Sequence, residues 1–192
     1  MATAVTSPVT LQRRRFTVAE YARMLTAGIL SEDDRVELID GEVRVMSPIG
    51  PLHAAIVDRL NRIIVLLCAH AAIVRVHSAI QLNDYTEPQP DLAVLQPRDD
   101  FYAQAHPLAA DVLLVIEVAD TSINYDRDEK LPRYALSGIP EAWLIDLTQH
   151  VVEQYTQPRN GAYRNKLTLE RGETLSAQHV SGLRLSVDDL FT

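Results

Sequence analysis

Val-Leu-Leu-Val-Ile-Glu-Val, residues 112–118, decides the fold. Six of the seven residues are aliphatic and point to both faces of an extended chain. That pattern belongs to a strand in the middle of a sheet covered on both sides. One carboxylate interrupts it, and a carboxylate in such a strand is costly unless it is paired or binds a cation. Glu117 is therefore the first candidate functional residue.

Upstream, strands are expected near Val74–Leu82 and Asp91–Leu95. Before them, Ile56, Val57, Leu60, Ile63, Ile64, Leu67, Cys68 and Ala71 recur at three- and four-residue steps with Asp58, Arg59, Asn61 and Arg62 between them. This is an amphipathic helix laid on a sheet. Further back, Thr17 and Glu20 form a capping-box pattern opening a helix over Thr17–Leu25. Asp40–Gly41 between Val36–Ile39 and Glu42–Met46 signals a hairpin. Downstream, a helix is expected over Arg127–Ser137, stopped by Gly138, with Pro132 either kinking it or marking a later start. A strand over Ala142–Leu147 follows, then a β-rich tail: Val151–Tyr155, a turn at Arg159–Asn160–Gly161, Tyr163–Leu169, and a last segment Leu183–Phe191. The fold class is α/β (α+β), a central mixed sheet flanked by helices, with an N-terminal helix and hairpin. Residues 1–15 read as a disordered or extended lead-in, and 16–192 as one domain.

Length and composition agree with one ordinary globular domain: 192 residues, 47% hydrophobic and 23% charged. Cys68, the single cysteine, falls on the apolar helical pattern and reads as a buried thiol in a reducing cytoplasm. No apolar run reaches the length of a membrane span, and residues 1–10 lack the pattern of a secretion signal. The net charge of −8 argues against bulk electrostatic coating of nucleic acid. Two basic groups, Arg13–Arg15 and the set Arg159, Arg164, Lys166 and Arg171, are either phosphate contacts or solvated surface charge.

Consecutive strands tend to be neighbours, so Asp91 and Glu117 can meet at one sheet edge. Two carboxylates in a half-buried place repel, and oxygen donors of this kind suit magnesium or manganese. The backbone carbonyl of Val118 adds a further candidate ligand. Lys130, thirteen positions after Glu117, can reach the same place from the next helix and there orient an attacking water. The alternative is a surface Asp126–Lys130 pair at i, i+4 worth about 0.3–0.5 kcal/mol; spacing leaves both open. Asp91 equally suits a turn leading into a strand, and Glu37 and Glu42 equally suit a solvent-facing hairpin. A lone His53 near a helix start is more often a packing or capping residue than a ligand. The sequence contains no phosphate-binding glycine loop, CxxC, HExxH or GxSxG pattern.

Taken in order, Phe-Thr-Val-Ala-Glu-Tyr (16–21), Glu-Leu-Ile-Asp-Gly-Glu (37–42), Met-Ser-Pro (46–48) with His53, Gln-Pro-Asp (89–91), Val-Ile-Glu-Val (115–118), Tyr-Asp-Arg-Asp-Glu-Lys-Leu-Pro-Arg-Tyr (125–134) and Ser-Gly-Ile-Pro-Glu-Ala-Trp-Leu-Ile-Asp (137–146) resemble the Uma-two family of restriction-type endonucleases, a branch of the PD-(D/E)XK superfamily. The resemblance runs from about Phe16 to Phe191. It implies a restriction endonuclease-like αβββαβ core that hydrolyses phosphodiester bonds of nucleic acid, DNA first, with Mg2+ or Mn2+. By motif, Asp91 and Glu117 become metal ligands, Lys130 the catalytic lysine and Glu37 a further acidic member. His53 becomes a motif position, and a homodimer is the implied assembly. Two departures stand out: the superfamily's lysine two residues after the glutamate is Ala119 here, and the family's Ser-Pro after that strand is Asp120–Thr121. The competing reading is a catalytically inactive nucleic-acid-binding or protein-interaction module on the same scaffold.

Overall fold

The computed structural model describes residues 13–31 and 33–191; of the expected lead-in over residues 1–15, residues 1–12 lie outside them. Helix α1 (Val18–Thr26) opens with both capping-box bonds in place, Glu20 N to the Thr17 hydroxyl and Thr17 N to the Glu20 carboxylate. The hairpin of β1 (Val36–Ile39) and β2 (Glu42–Val45) turns on Asp40 and Gly41, with φ of 51° and 78°. Both central residues are left-handed, as a type I′ turn requires. Helix α2 (Pro51–Cys68) starts on a proline and lays Ile56, Val57, Leu60, Ile64 and Cys68 inward.

The central sheet has six strands in the order β3-β4-β5-β6-β7-β8: β3 (Ile73–Val76), β4 (Leu92–Leu95), β5 (Val112–Ala119), β6 (Glu141–Asp146), β7 (Val151–Arg159) and β8 (Ala162–Leu169). Only β5 and β6 are parallel, so the sheet is mixed. The crossover between them carries α3 (Ile123–Tyr125), a π-helical turn over Asp126–Lys130, and α4 (Leu131–Leu136). A two-stranded ribbon, β9 (Thr174–Ser176) with β10 (Arg184–Ser186), follows, and a 3-10 turn over Val187–Asp189 comes after it.

The covered-strand reading of β5 holds. Leu114, Ile116 and Val118 pack with Ile56, Val57, Leu60 and Ile64 of α2, while Val115 and Ala119 pack with Leu131, Tyr134 and Ile139 on the other face. Glu117 alternates with the second set and so points to the α4 side.

Three elements differ from expectation. The first strand stops at Val76 rather than Leu82, because His77 turns into the left-handed region at φ 47° and a ladder cannot continue through it. The crossover helix begins at Ile123, earlier than Arg127, and Pro132 falls in the first turn of its α4 segment rather than at the start of the whole helix. The π turn immediately before, closed by the Leu131 N–H on the Asp126 carbonyl, widens the helix where Pro132 donates no hydrogen bond. Asp91 lies in a bend just ahead of β4, and β4 and β5 are interior strands, so the carboxylates meet at a strand end inside the sheet rather than along its edge.

Candidate functional site

Register brings the first two candidates together. Leu92 pairs with Ile116 across β4 and β5, and one further step sets Asp91 beside Glu117. Asp91 Oδ2 accepts the Val118 backbone N–H at 2.8 Å, which pins its carboxylate to the end of β5. Both residues line a cleft of about 450 Å3 whose walls include the β1–β2 hairpin, the start of α2 and the π turn.

Lys130 sits in that cleft as the only ammonium, 6% exposed as a side chain. Its Nζ lies 3.1 Å from Glu117 Oε1, 3.5 Å from Glu37 Oε2 and 3.9 Å from Asp126 Oδ1, and donates to the Gln89 carbonyl at 3.4 Å. The Asp126–Lys130 pair is thus a buried one; the surface pair that its i, i+4 spacing also allowed does not form. Each acid has other holders. Tyr134 donates its hydroxyl to Glu117 at 2.5 Å, Tyr125 to Glu37 at 2.9 Å, and Ser122 to Asp126 at 2.7 Å. The Gln89 N–H donates to Glu37 Oε2 at 3.0 Å. A helix wound at i→i+5 rather than i→i+4 carries Asp126 and Lys130, consistent with the association of π turns with functional sites.

A second group adjoins the first. His53 Nε2 lies 3.1 Å from Asp91 Oδ2, and His77 Nε2 lies 3.3 Å from Asp91 Oδ1. The two rings stack at 6.2 Å, with 18° between planes.

The charges disturb one another. Burial pushes Glu117 well above the usual carboxylate range and the negative charges of Asp126 and Asp91 add to it, against the pull of Lys130 and Tyr134. Burial likewise raises Asp126. Burial works against the Lys130 ammonium, yet Glu117, Glu37, Asp126 and Asp91 together hold its pKa above the ordinary lysine value. Burial opposes ionised Asp91 too, but hydrogen bonds with His53 and His77 keep it well below the ordinary aspartate range. His53 is raised in return: burial disfavours its cation, and the bond to Asp91 and its charge outweigh that.

Of the residues singled out from sequence, Asp91, Glu117, Lys130, Glu37 and His53 all line this cleft, with Val118 at its floor. Glu42 does not: it pairs with Arg13 and Arg44 on the outer side of the hairpin. Arg13 and Arg14 face Glu42 and Glu20, Lys166 faces Glu153 and Arg171 faces Asp188, so these cations are engaged with neighbouring carboxylates. Asp120 and Thr121, the two departures from the family pattern, line the cleft mouth. Sequence reasoning missed His77, Tyr125, Tyr134 and Gln89. Tyr125 and Tyr134 bracket the stretch that contains Lys130, but His77 had no local signal.

A family model, Uma2, described as "Putative restriction endonuclease", matches residues 18–188. Among solved structures, a "putative nuclease belonging to DUF820" from Anabaena variabilis ATCC 29413 superposes with a TM-score of 0.75, covering 92% of this chain and 97% of that one. At 20% identity that likeness speaks for the fold. A comparison with curated proteins found no match.

Proposed function

The chain belongs to the Uma2 family, described as "Putative restriction endonuclease", and from that premise we propose that its 16–192 domain is a divalent-metal-dependent nuclease acting on DNA. The observation that carries the reading is the buried acidic cleft around one lysine: Glu37, Asp91, Glu117 and Asp126 surround Lys130.

The residues present fit a dication. Five carboxylates, Glu37, Asp91, Glu117, Asp120 and Asp126, against two cations, Lys130 and Arg35, leave an excess of negative charge, and the charges of Asp126 and Asp91 add to the burial that pushes Glu117 up. Oxygen donors of this type suit Mg2+ or Mn2+. Asp91 and Glu117, with the Val118 carbonyl, are the groups we assign to holding it. When bound, such an ion stabilises the charge that builds up on a scissile phosphate.

The chain's own groups then have distinct tasks. Lys130, held as an ammonium, donates hydrogen bonds and does not act as a base; it orients the attacking water and offsets charge in the transition state. Glu37, fixed by Tyr125 and the Gln89 N–H, keeps Lys130 aimed into the cleft. Val118 N–H and His53 fix the Asp91 carboxylate.

The test is incubation of plasmid and single-stranded DNA with the purified protein in Mn2+, Mg2+ or EDTA, beside Glu117→Ala. Metal-dependent cleavage that disappears in the variant is expected. Undiminished cleavage by Glu117→Ala refutes the assignment. No cleavage by either protein, together with nucleic-acid binding, points to the inactive module that the −8 net charge favours. With the nuclease reading go a homodimer, which sedimentation checks, and a reducing cytoplasm in which Cys68 stays a thiol. No helix among the described residues is long and apolar enough to cross a membrane.

A further inference from the structure

Asp91 stands between two imidazoles, and the nuclease reading uses neither of them as a ligand. Ligand atoms of His53, His77 and Asp91 all lie within 4.8 Å of one another. Donors sharing an ion at about 2.1 Å are at most about 4.2 Å apart, so small side-chain rotations close this set on one ion. Among the described residues it is the group of His, Cys, Asp and Glu side chains that meets this spacing.

A further observation points the same way. His77 holds φ at 47°, a left-handed conformation that a non-glycine residue adopts at a cost of about 1–2 kcal/mol. Such strain persists where the surrounding structure fixes it, and it clusters at functional positions. Here the His77 backbone N–H donates to the Asp91 carbonyl at 3.0 Å, and the ring is brought to the Asp91 carboxylate.

We propose that His53, His77 and Asp91 form a nitrogen-containing metal position that takes a transition-metal dication of the zinc, cobalt or nickel class in preference to magnesium. Imidazole nitrogen is a good donor to such ions, while magnesium favours oxygen and sheds its water reluctantly. The proposal rests on the reading of the cleft as a metal site, because Asp91 belongs to both groups. It deepens that reading by naming which ions the cleft selects: two histidines and one carboxylate leave coordination positions open on the cleft side, next to Glu117 and Lys130.

The test reads binding, not cleavage. Metal-stripped protein is titrated with Co2+ while its visible d–d absorption is recorded, and the bound ion is challenged with Zn2+ and then Mg2+. Wild type is expected to bind one Co2+ per chain, released by equimolar Zn2+ but retained against about a hundredfold excess of Mg2+. His77→Ala and His53→Gln, each checked for a native circular dichroism spectrum, should weaken Co2+ binding by about tenfold or more. Glu42→Gln, outside the cleft, should bind Co2+ with the wild-type spectrum. No absorption band, or affinity unchanged in both histidine variants, overturns the proposal; so does displacement of Co2+ by Mg2+ at equal concentration. Histidine-dependent Co2+ binding without any nuclease activity would sink the nuclease reading and leave this one standing. Cleavage lost in Glu117→Ala, with Co2+ binding indifferent to both histidines, would do the reverse.

Discussion

Replacing Lys130 by methionine tests the charge logic of the cleft most directly. The side chain keeps its length and apolar stem but loses the ammonium that faces Glu117, Glu37 and Asp126 at 3.1, 3.5 and 3.9 Å. At an effective dielectric of about 20, each of the two closer contacts carries roughly 5 kcal/mol of attraction. The variant does not lose that sum, because its carboxylates escape repulsion by taking up a proton. A carboxyl that titrates near 4.3 in the unfolded chain and stays protonated in the folded one costs about 1.36 kcal/mol per pH unit above 4.3. At pH 7.5 one extra proton amounts to roughly 4 kcal/mol, and at pH 5.5 to about 1.5 kcal/mol. The sign follows from proton counts: the folded variant binds more protons than the unfolded chain, so its stability falls as pH rises above the unfolded value. Urea denaturation of Lys130→Met and wild type in EDTA at both pH values measures the two losses. Mn2+ should return part of the loss at pH 7.5, by supplying positive charge to the same carboxylates. A loss below about 1 kcal/mol, or one equal at both pH values, refutes the reasoning.

Two other substitutions test the frame that positions the cleft. Glu141 is fully buried, and its carboxylate accepts from Trp143 Nε1 at 2.8 Å, Gln154 Nε2 at 2.7 Å and the Gln178 and His179 N–H groups at 2.7 and 3.1 Å; Glu141→Leu strands four donors and should cost about 3–5 kcal/mol by urea denaturation, a loss under about 1 kcal/mol showing the clamp to be dispensable. A methyl group at Gly41 would lie 2.7 Å from Arg15 Cβ at a backbone φ of 78°, so Gly41→Ala should lower stability by about 1–3 kcal/mol and loosen the hairpin that carries Glu37, read as faster amide exchange in β1. Cys68, 2% exposed against the sheet, should react with a thiol reagent only as fast as the protein opens; immediate labelling of the native protein would contradict its burial.

Most of the fold was legible because it depends on short-range pattern. The 112–118 run reads as covered strand from its residues alone, and β5 is the middle of a sheet packed by α2 on one side and α4 on the other. Thr17 with Glu20, and Asp40 with Gly41, specify a helix start and a turn within four residues, and both formed as read. Errors fell where backbone geometry departs from regular elements. A left-handed histidine ended β3 early, and a π turn let the crossover helix run through Pro132. Neither has a periodicity that hydrophobic pattern can carry.

The site divides along a different line. Asp91 and Glu117 could be paired in advance because strand register links them, and Lys130 because one helix follows one strand. His77 could not. It reaches Asp91 through a φ value that nothing in Val-His-Ser announces, across 13 intervening positions of mostly irregular chain. Yet His77 bears on what kind of metal centre this is. Without it, His53 hydrogen-bonds an aspartate that a magnesium ion could also claim. With it, Asp91 is held on both oxygens by imidazoles, and the three side chains present two nitrogen donors and a carboxylate to whatever ion reaches them. Crowded around Lys130, the carboxylates of Glu117, Glu37 and Asp126 set the negative potential that draws a cation in, while in the proposed site the histidines decide which cation stays. A His77→Ala protein that loses its preference for Co2+ over Mg2+ but still cleaves DNA with Mg2+ would separate those two roles within one cleft.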